Sequence, residues 1–171
     1  MQIKSRLPVV VTLTAILLFV SSSVWSRWLP FRLVKNYSVS ERPGLYIVTQ
    51  WKAPKKGDLV LVSFPEAAKE LAKRRSWLHE GIPLLKRIVG VESDRVCHEN
   101  GELTINGREI APILAVDRQG EEMEVVNGCY TIQPGYFLPV NTYSPYSFDG
   151  RYFGPIPRDL ILGKASSLLT F

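Results

Sequence analysis

The chain has 171 residues, 46% of them hydrophobic, and a formal net charge of +5. That length holds one membrane anchor and one ordinary domain, and that apolar share excludes an intrinsically disordered chain. With two histidines, two cysteines and no helix-turn-helix, zinc-finger or RNA-binding signature, the positive charge does not point to nucleic acid, and neither a metal nor a cofactor is implied.

Basic residues concentrate between Lys52 and Arg87, and acidic ones between Glu92 and Glu124. A basic face can meet anionic headgroups or an acidic partner; the alternative is a solvated surface.

In chain order, residues 1–6 carry Lys4 and Arg6 and read as a cytoplasmic N-terminus. Residues 7–26 carry no charge and include the run Ala15-Ile16-Leu17-Leu18-Phe19-Val20. About 20 apolar residues span a bilayer core as one helix, so a single transmembrane anchor is expected here. Pro8 fits its first turn, and Trp25 and Trp28 suit the far interface. A cleaved signal peptide is the alternative, but Ser21-Ser22-Ser23 lacks an Ala-x-Ala site. Residues 27–35, broken by Pro30, read as a juxtamembrane linker.

Residues 36–171 read as one mainly β domain. Strands are expected over Gly44–Thr49, Asp58–Phe64, Leu84–Val89, Leu103–Ile105, Arg108–Ala111, Glu124–Val126, Cys129–Ile132, Tyr136–Val140 and Ile161–Ala165. Asn106-Gly107 is a two-residue hairpin turn. One short helix is expected over Glu66–His79, with Ala67, Leu71 and Leu78 on one face and Gly81 as its stop. Cys97 and Cys129 can form one disulfide outside the cytoplasm; two buried thiols are the alternative.

Three stretches carry candidate chemistry. In an extended Ser38-Val39-Ser40, the two hydroxyls share one side. One can attack a carbonyl while the other, with a backbone N–H, stabilises the oxyanion. Alone, such a pair also fits solvated surface hydroxyls. In a Leu84–Val89 strand, Lys86 lies on the face of Leu84 and Ile88, and Arg87 on the other. A lysine is a base only when neutral, which requires its reference pKa of about 10.4 to fall by roughly 2–3 units. Arginine cannot deprotonate, so Lys86 is the candidate base. The third stretch runs from Ser147 to Pro155. There Ser147 can aim the lysine amine, and Asp149 can pair with Arg151 around Gly150.

These elements, in this order after one apolar segment, resemble bacterial type I signal peptidases. Ser38-x-Ser40-x-x-Pro43 matches the nucleophile segment, Lys86-Arg87-x-x-Gly90 the base segment, and Ser147-x-Asp149-x-Arg151-Tyr152-x-Gly154 the last motif. The stretches Asn36 to Tyr46, Pro83 to Arg87 and Ser147 to Pro155 are similar to the TraF-type pilin maturation peptidases of conjugative plasmids. Glu41 in place of methionine after the nucleophile, and Pro139-Val140-Asn141 in place of Gly-Asp-Asn, depart from general leader peptidases.

The resemblance implies a coiled β-sheet catalytic domain in the periplasm, anchored in the inner membrane. Ser40 would be the nucleophile, Lys86 the general base, Ser38 with the Ser40 N–H the oxyanion hole, and Ser147 the base-orienting residue. Asp149 and Arg151 would be structural. The substrate would be a prepilin or other exported preprotein cut after small residues, with the bilayer and conjugation or secretion machinery as partners and no cofactor. Capture of the acyl-enzyme by the pilin's own N-terminus would give a cyclic product. A non-enzymatic, membrane-anchored pilus-assembly module is the alternative. A self-cleaving repressor shares Ser–Lys chemistry, but the apolar segment stands where a DNA-binding domain would.

Overall fold

A computed structural model describes residues 8–14, 17, 30–50, 53–77, 82–125 and 127–171. Residues 8–14 are helical, with Thr12 and Thr14 hydroxyls donating to the carbonyls four residues back. The rest of the expected 7–26 anchor, apart from Leu17, lies outside the described residues. Among the described residues no helix is long and apolar enough to cross a membrane. The chain divides into two units, residues 1–32 and 33–171, and the second carries the site.

The second unit is mainly β. Among the described residues eleven strands form two antiparallel sheets, the first strand beginning at Phe31. They are β1 (Phe31–Asn36), β2 (Gly44–Thr49), β3 (Leu59–Val62), β4 (Leu84–Gly90), β5 (Arg95–Glu99), β6 (Glu102–Ile105), β7 (Arg108–Pro112), β8 (Gly128–Thr131), β9 (Tyr136–Val140), β10 (Ile156–Pro157) and β11 (Ile161–Thr170). The larger sheet has the order β1-β2-β11-β3-β4-β9-β10, and the smaller β7-β6-β5-β8.

β3 is buried on both faces, so its sequence Leu-Val-Leu-Val is continuously apolar. Leu59 and Leu61 join Tyr46, Val48, Leu85 and Ala165 on one side. Val60 and Val62 join Ile88, Ile156 and Ile161 on the other. A third core, built on Val96, Leu103, Ile105, Ile132, Leu138 and Val140, holds the smaller sheet against β9. β4 reaches that core at Gly90, where a Cβ would meet Ile132 Cδ1 at 2.7 Å and Leu138 Cβ at 3.1 Å. Asn106 and Gly107 both take positive φ, 51° and 79°, and Ile105 pairs with Arg108 across them, as a primed two-residue turn requires.

Several expectations need correction. Residues 31–35, read as linker, belong to β1. The helix spans Glu66–Arg74 and ends before Ser76, whose φ is 53°. It buries Ala68 and Ala72 rather than Ala67 and Leu71, because its inner face packs those two alanines against Phe64 and Leu84. The expected stop at Gly81 and the residues Leu78 and His79 lie outside the described residues. Glu124 and Val125 are not in a strand, and Val126 lies outside the described residues. A second short helix, Gly150–Phe153, occupies what reads as a turn.

Cys97 and Cys129 face each other across β5 and β8 and are joined in a disulfide. Glu99 brings a carboxylate beside them, but both sulfurs are already bonded to each other.

Candidate active site

The segment between β1 and β2 carries Ser38 and Ser40. It is a turn rather than the extended stretch expected from Ser-x-Ser spacing. One side chain shapes it. Asn36 Nδ2 donates to the carbonyls of Ser38, Glu41 and Arg42 at 3.1, 3.0 and 3.0 Å, while its Oδ1 accepts the Ser38 N–H at 3.0 Å. Asn and Asp side chains commonly mimic a backbone turn in this way. The result still brings the hydroxyls together: Ser38 Oγ and Ser40 Oγ are 2.8 Å apart, and the Ser40 N–H donates to Ser38 Oγ at 3.2 Å. Gly44 closes the loop where a Cβ would collide with the Leu169 carbonyl.

Lys86 comes from the middle of β4 and is 1% exposed. It pairs in register with Val60 and is flanked on its own face by Leu84 and Ile88, while Arg87 points to solvent. Burial is the main reason its pKa falls from the usual 10.5 to about 8. The Arg151 charge pushes in the same direction, whereas Asp149 and Glu41 oppose it. The amine donates to Ser147 Oγ at 2.7 Å.

Two further side chains hold this arrangement. Asn141 donates from Nδ2 to the Leu85 carbonyl at 2.9 Å and accepts the Arg87 N–H on Oδ1 at 3.0 Å. It grips the backbone on either side of Lys86. Arg151 is fully buried and donates to Asp149 through Nε at 2.9 Å and Nη2 at 3.0 Å. It also donates to the carbonyls of Pro112, Pro145, Asn141, Ser144 and Ser147. Asp149 in turn accepts the N–H groups of Arg151 and Asn141. The ion pair is therefore the hub of the 141–151 segment that presents Ser147.

Ser38, Ser40, Lys86 and Ser147 line one cavity of about 360 Å³. A hydroxyl pair and a buried amine with a lowered pKa are groups that acyl transfer can use without a histidine. Asn36 and Asn141 were missed as site residues. Asn36 stood in the matched segment and Asn141 in a mismatched one, but neither carries a signal for its bonding partners.

The profile described as "Signal peptidase, peptidase S26" matches residues 3–170. The chain belongs to the signal peptidase family. Membership implies a serine endopeptidase. A probable conjugal transfer protein TraF from Sinorhizobium fredii is 34% identical over 149 residues, covering 80% of this chain and 76% of that protein. The conjugal transfer protein TraF of Agrobacterium fabrum is 32% identical, covering 80% and 81%. Signal peptidase I V of Bacillus subtilis is 29% identical over 93 residues, covering 48% and 55%. A crystal structure of a signal peptidase I from Enterococcus faecalis, 18% identical, superposes with a TM-score of 0.41 over 67% of this chain and 98% of that one.

Proposed function

We propose that this protein is an inner-membrane signal peptidase with its catalytic domain in the periplasm. It cleaves a prepilin or other exported preprotein through a Ser40 acyl-enzyme during conjugative pilus assembly. The observation that carries this reading is the buried Lys86 amine, held by Ser147 on the wall of the cavity that also contains Ser38 and Ser40. The TraF relatives support the conjugative setting.

Neutral Lys86 takes the Ser40 hydroxyl proton as Oγ attacks the scissile carbonyl. The tetrahedral oxyanion accepts from the Ser38 hydroxyl and the Ser40 N–H, which leave the contacts they make with the serine hydroxyls at rest. The Lys86 ammonium then gives its proton to the leaving amine, and the acyl-enzyme forms. Lys86, neutral again, activates the acceptor. With water as acceptor the product is linear. With the pilin's own amino terminus it is cyclic and lighter by one water.

The test is cleavage of a prepilin by the full chain in phospholipid vesicles. Wild type cleaves it, while Ser40→Ala, Lys86→Ala and Lys86→Arg do not. Normal processing by Lys86→Ala would overturn the assignment, and an inert wild type would favour a non-enzymatic assembly module. The mass of the product distinguishes hydrolysis from cyclisation.

A further inference from the structure

Ser40 and Lys86 meet from two parts of the larger sheet that do not pair. Ser40 sits in the loop that leads into β2, Lys86 sits in β4, and β11 and β3 lie between those strands. At about 4.8 Å between neighbouring strands, three spacings put β2 roughly 14 Å from β4. No ladder of backbone hydrogen bonds therefore fixes how far Ser40 stands from Lys86. The bonds of Asn36, and the Tyr46 hydroxyl donating to the Arg42 carbonyl at 2.7 Å, shape the loop from within. The Phe171 N–H donates to the Pro43 carbonyl at 3.2 Å and ties the loop's end to β11, still two strands short of β4.

The residue after each reacting group supplies the missing link. The Glu41 side chain is 11% exposed; its Oε1 accepts the Arg42 N–H at 3.1 Å and its Oε2 stands 3.7 Å from Arg87 Nη2. A carboxylate so far removed from water needs a partner of opposite charge. Arg87 is itself held in place. Its N–H donates to Asn141 Oδ1 and its Nη1 to the Gly57 carbonyl, both at 3.0 Å, and the Gly57 N–H donates to the Ile88 carbonyl at 2.7 Å. Neighbouring residues of a strand point to opposite faces, so the Glu41–Arg87 pair lies behind the Ser40–Lys86 pair. The two pairs line separate cavities that have no residue in common. Among the described residues this ion pair is the one hydrogen-bonding or ionic contact between residues 37–43 and β4.

We propose that Glu41 and Arg87 are positioning residues: their ion pair holds the nucleophile loop at the distance from β4 at which Ser40 can pass its proton to Lys86. The proposal rests on the peptidase reading above and adds the contact that aligns its two reacting groups. A misplacement of about 1 Å costs on the order of 10²-fold in rate, so a loop held by a single ion pair registers its loss in kcat. Neither side chain lines the cavity that holds Ser40, so KM is spared.

The test uses the full chain in phospholipid vesicles and a prepilin at pH 9, where Lys86, with its pKa of about 8, is mostly neutral. Glu41→Gln and Arg87→Gln each remove one charge of the pair. Each lowers kcat by about tenfold and leaves KM within about threefold of wild type. The double variant is no slower than the slower single, because the same contact is lost only once. Arg87→Lys keeps a cation and retains at least half of the wild-type kcat. The Arg87 side chain is 44% exposed, so its variants fold and decide the matter even where Glu41→Gln does not fold. A kcat for Arg87→Gln within twofold of wild type overturns the proposal. So do losses that multiply in the double variant, or an Arg87→Lys as slow as Arg87→Gln; in each case the peptidase stands. Absence of Ser40-dependent cleavage by the wild-type chain overturns the peptidase reading and this proposal with it.

Discussion

The Lys86 amine donates to Ser147 Oγ at 2.7 Å, inside a protein wall that leaves the lysine 1% exposed. This one contact joins the middle of β4 to the segment before the Gly150–Phe153 helix, 61 residues away in sequence. It also sets a pH dependence. As a base, Lys86 works only when neutral, and its pKa lies at about 8. Cleavage should therefore be weak at pH 6 and rise about tenfold per pH unit until it levels above pH 8. A steady-state profile of kcat/KM measures this, and a profile flat from pH 5 to 9 would remove Lys86 as the base. Ser147→Ala should cut kcat by about 10²-fold or more with little change in KM, as expected for a lost positioning contact to a catalytic base.

The same lysine should reduce stability. Its folded pKa is depressed to about 8 from 10.5, so below pH 8 both folded and unfolded chains are protonated and the folded one bears the full burial penalty. Between pH 8 and 10.5 the unfolded chain holds the extra proton, and stability rises with pH across that window. A shift of this size corresponds to about 3 kcal/mol, less about 1 for the lost bond to Ser147 when the lysine is replaced. Lys86→Met should therefore be more stable than wild type by roughly 2 kcal/mol at pH 7, with the gain fading by pH 10. Urea unfolding of the two proteins at both pH values provides the comparison.

Asn36 should matter as much as a reacting group without touching substrate. Its amide holds three carbonyls and one N–H of the nucleophile loop. Asn36→Asp keeps the shape and the acceptor but loses both N–H donors, leaving a carboxylate facing three carbonyl oxygens. The expected result is a loss of kcat of at least 10²-fold with KM held within a few-fold. A KM defect alone would mean the loop binds substrate rather than aligning Ser38 and Ser40.

Local patterns were readable in the sequence, as were the Lys86–Ser147 contact, from the order of the motifs, and the Cys97–Cys129 pair; the other long-range contacts were not. The Asn106-Gly107 turn and the burial of Lys86 over Arg87 follow from rules acting within a few residues. β5 escaped notice because its inward positions are Val96 and His98, and a histidine breaks the apolar alternation. The helix face was misread because its buried stripe is two alanines, chosen by the neighbouring Phe64 rather than by the helix. Asn141 joins Leu85 and Arg87 across more than 50 residues, a relation that exists only in the folded chain.

The Cys97–Cys129 disulfide should support folding without serving catalysis. The two cysteines are separated by 32 positions in sequence. Closing a loop of that size contributes about 3–4 kcal/mol in the chain-entropy model. Neither cysteine lines the cavity with Ser40 and Lys86. The double variant Cys97→Ser/Cys129→Ser should lose about that much stability in urea, yet cleave at close to the wild-type rate where it remains folded. A large loss of kcat in the folded variant would tie the smaller sheet to the chemistry.

Asp149 and Arg151 offer a sharper test, because their charges act on Lys86 in opposite directions. Arg151 pushes the lysine pKa down and Asp149 pulls it up. Both side chains are fully buried, so removing either leaves the other charge uncompensated, at a cost of about 3–5 kcal/mol. Asp149→Asn should therefore destabilise strongly while moving the pH midpoint of cleavage below 8. Arg151→Met should destabilise similarly while moving it above 8. The double variant should lose less stability than the two singles combined, since no lone charge remains. Opposite midpoint shifts with a shared stability loss would separate the electrostatic role of the pair from its structural one. If both midpoints stay at the wild-type value, the pair acts on Lys86 only by holding the Ser147 segment in place.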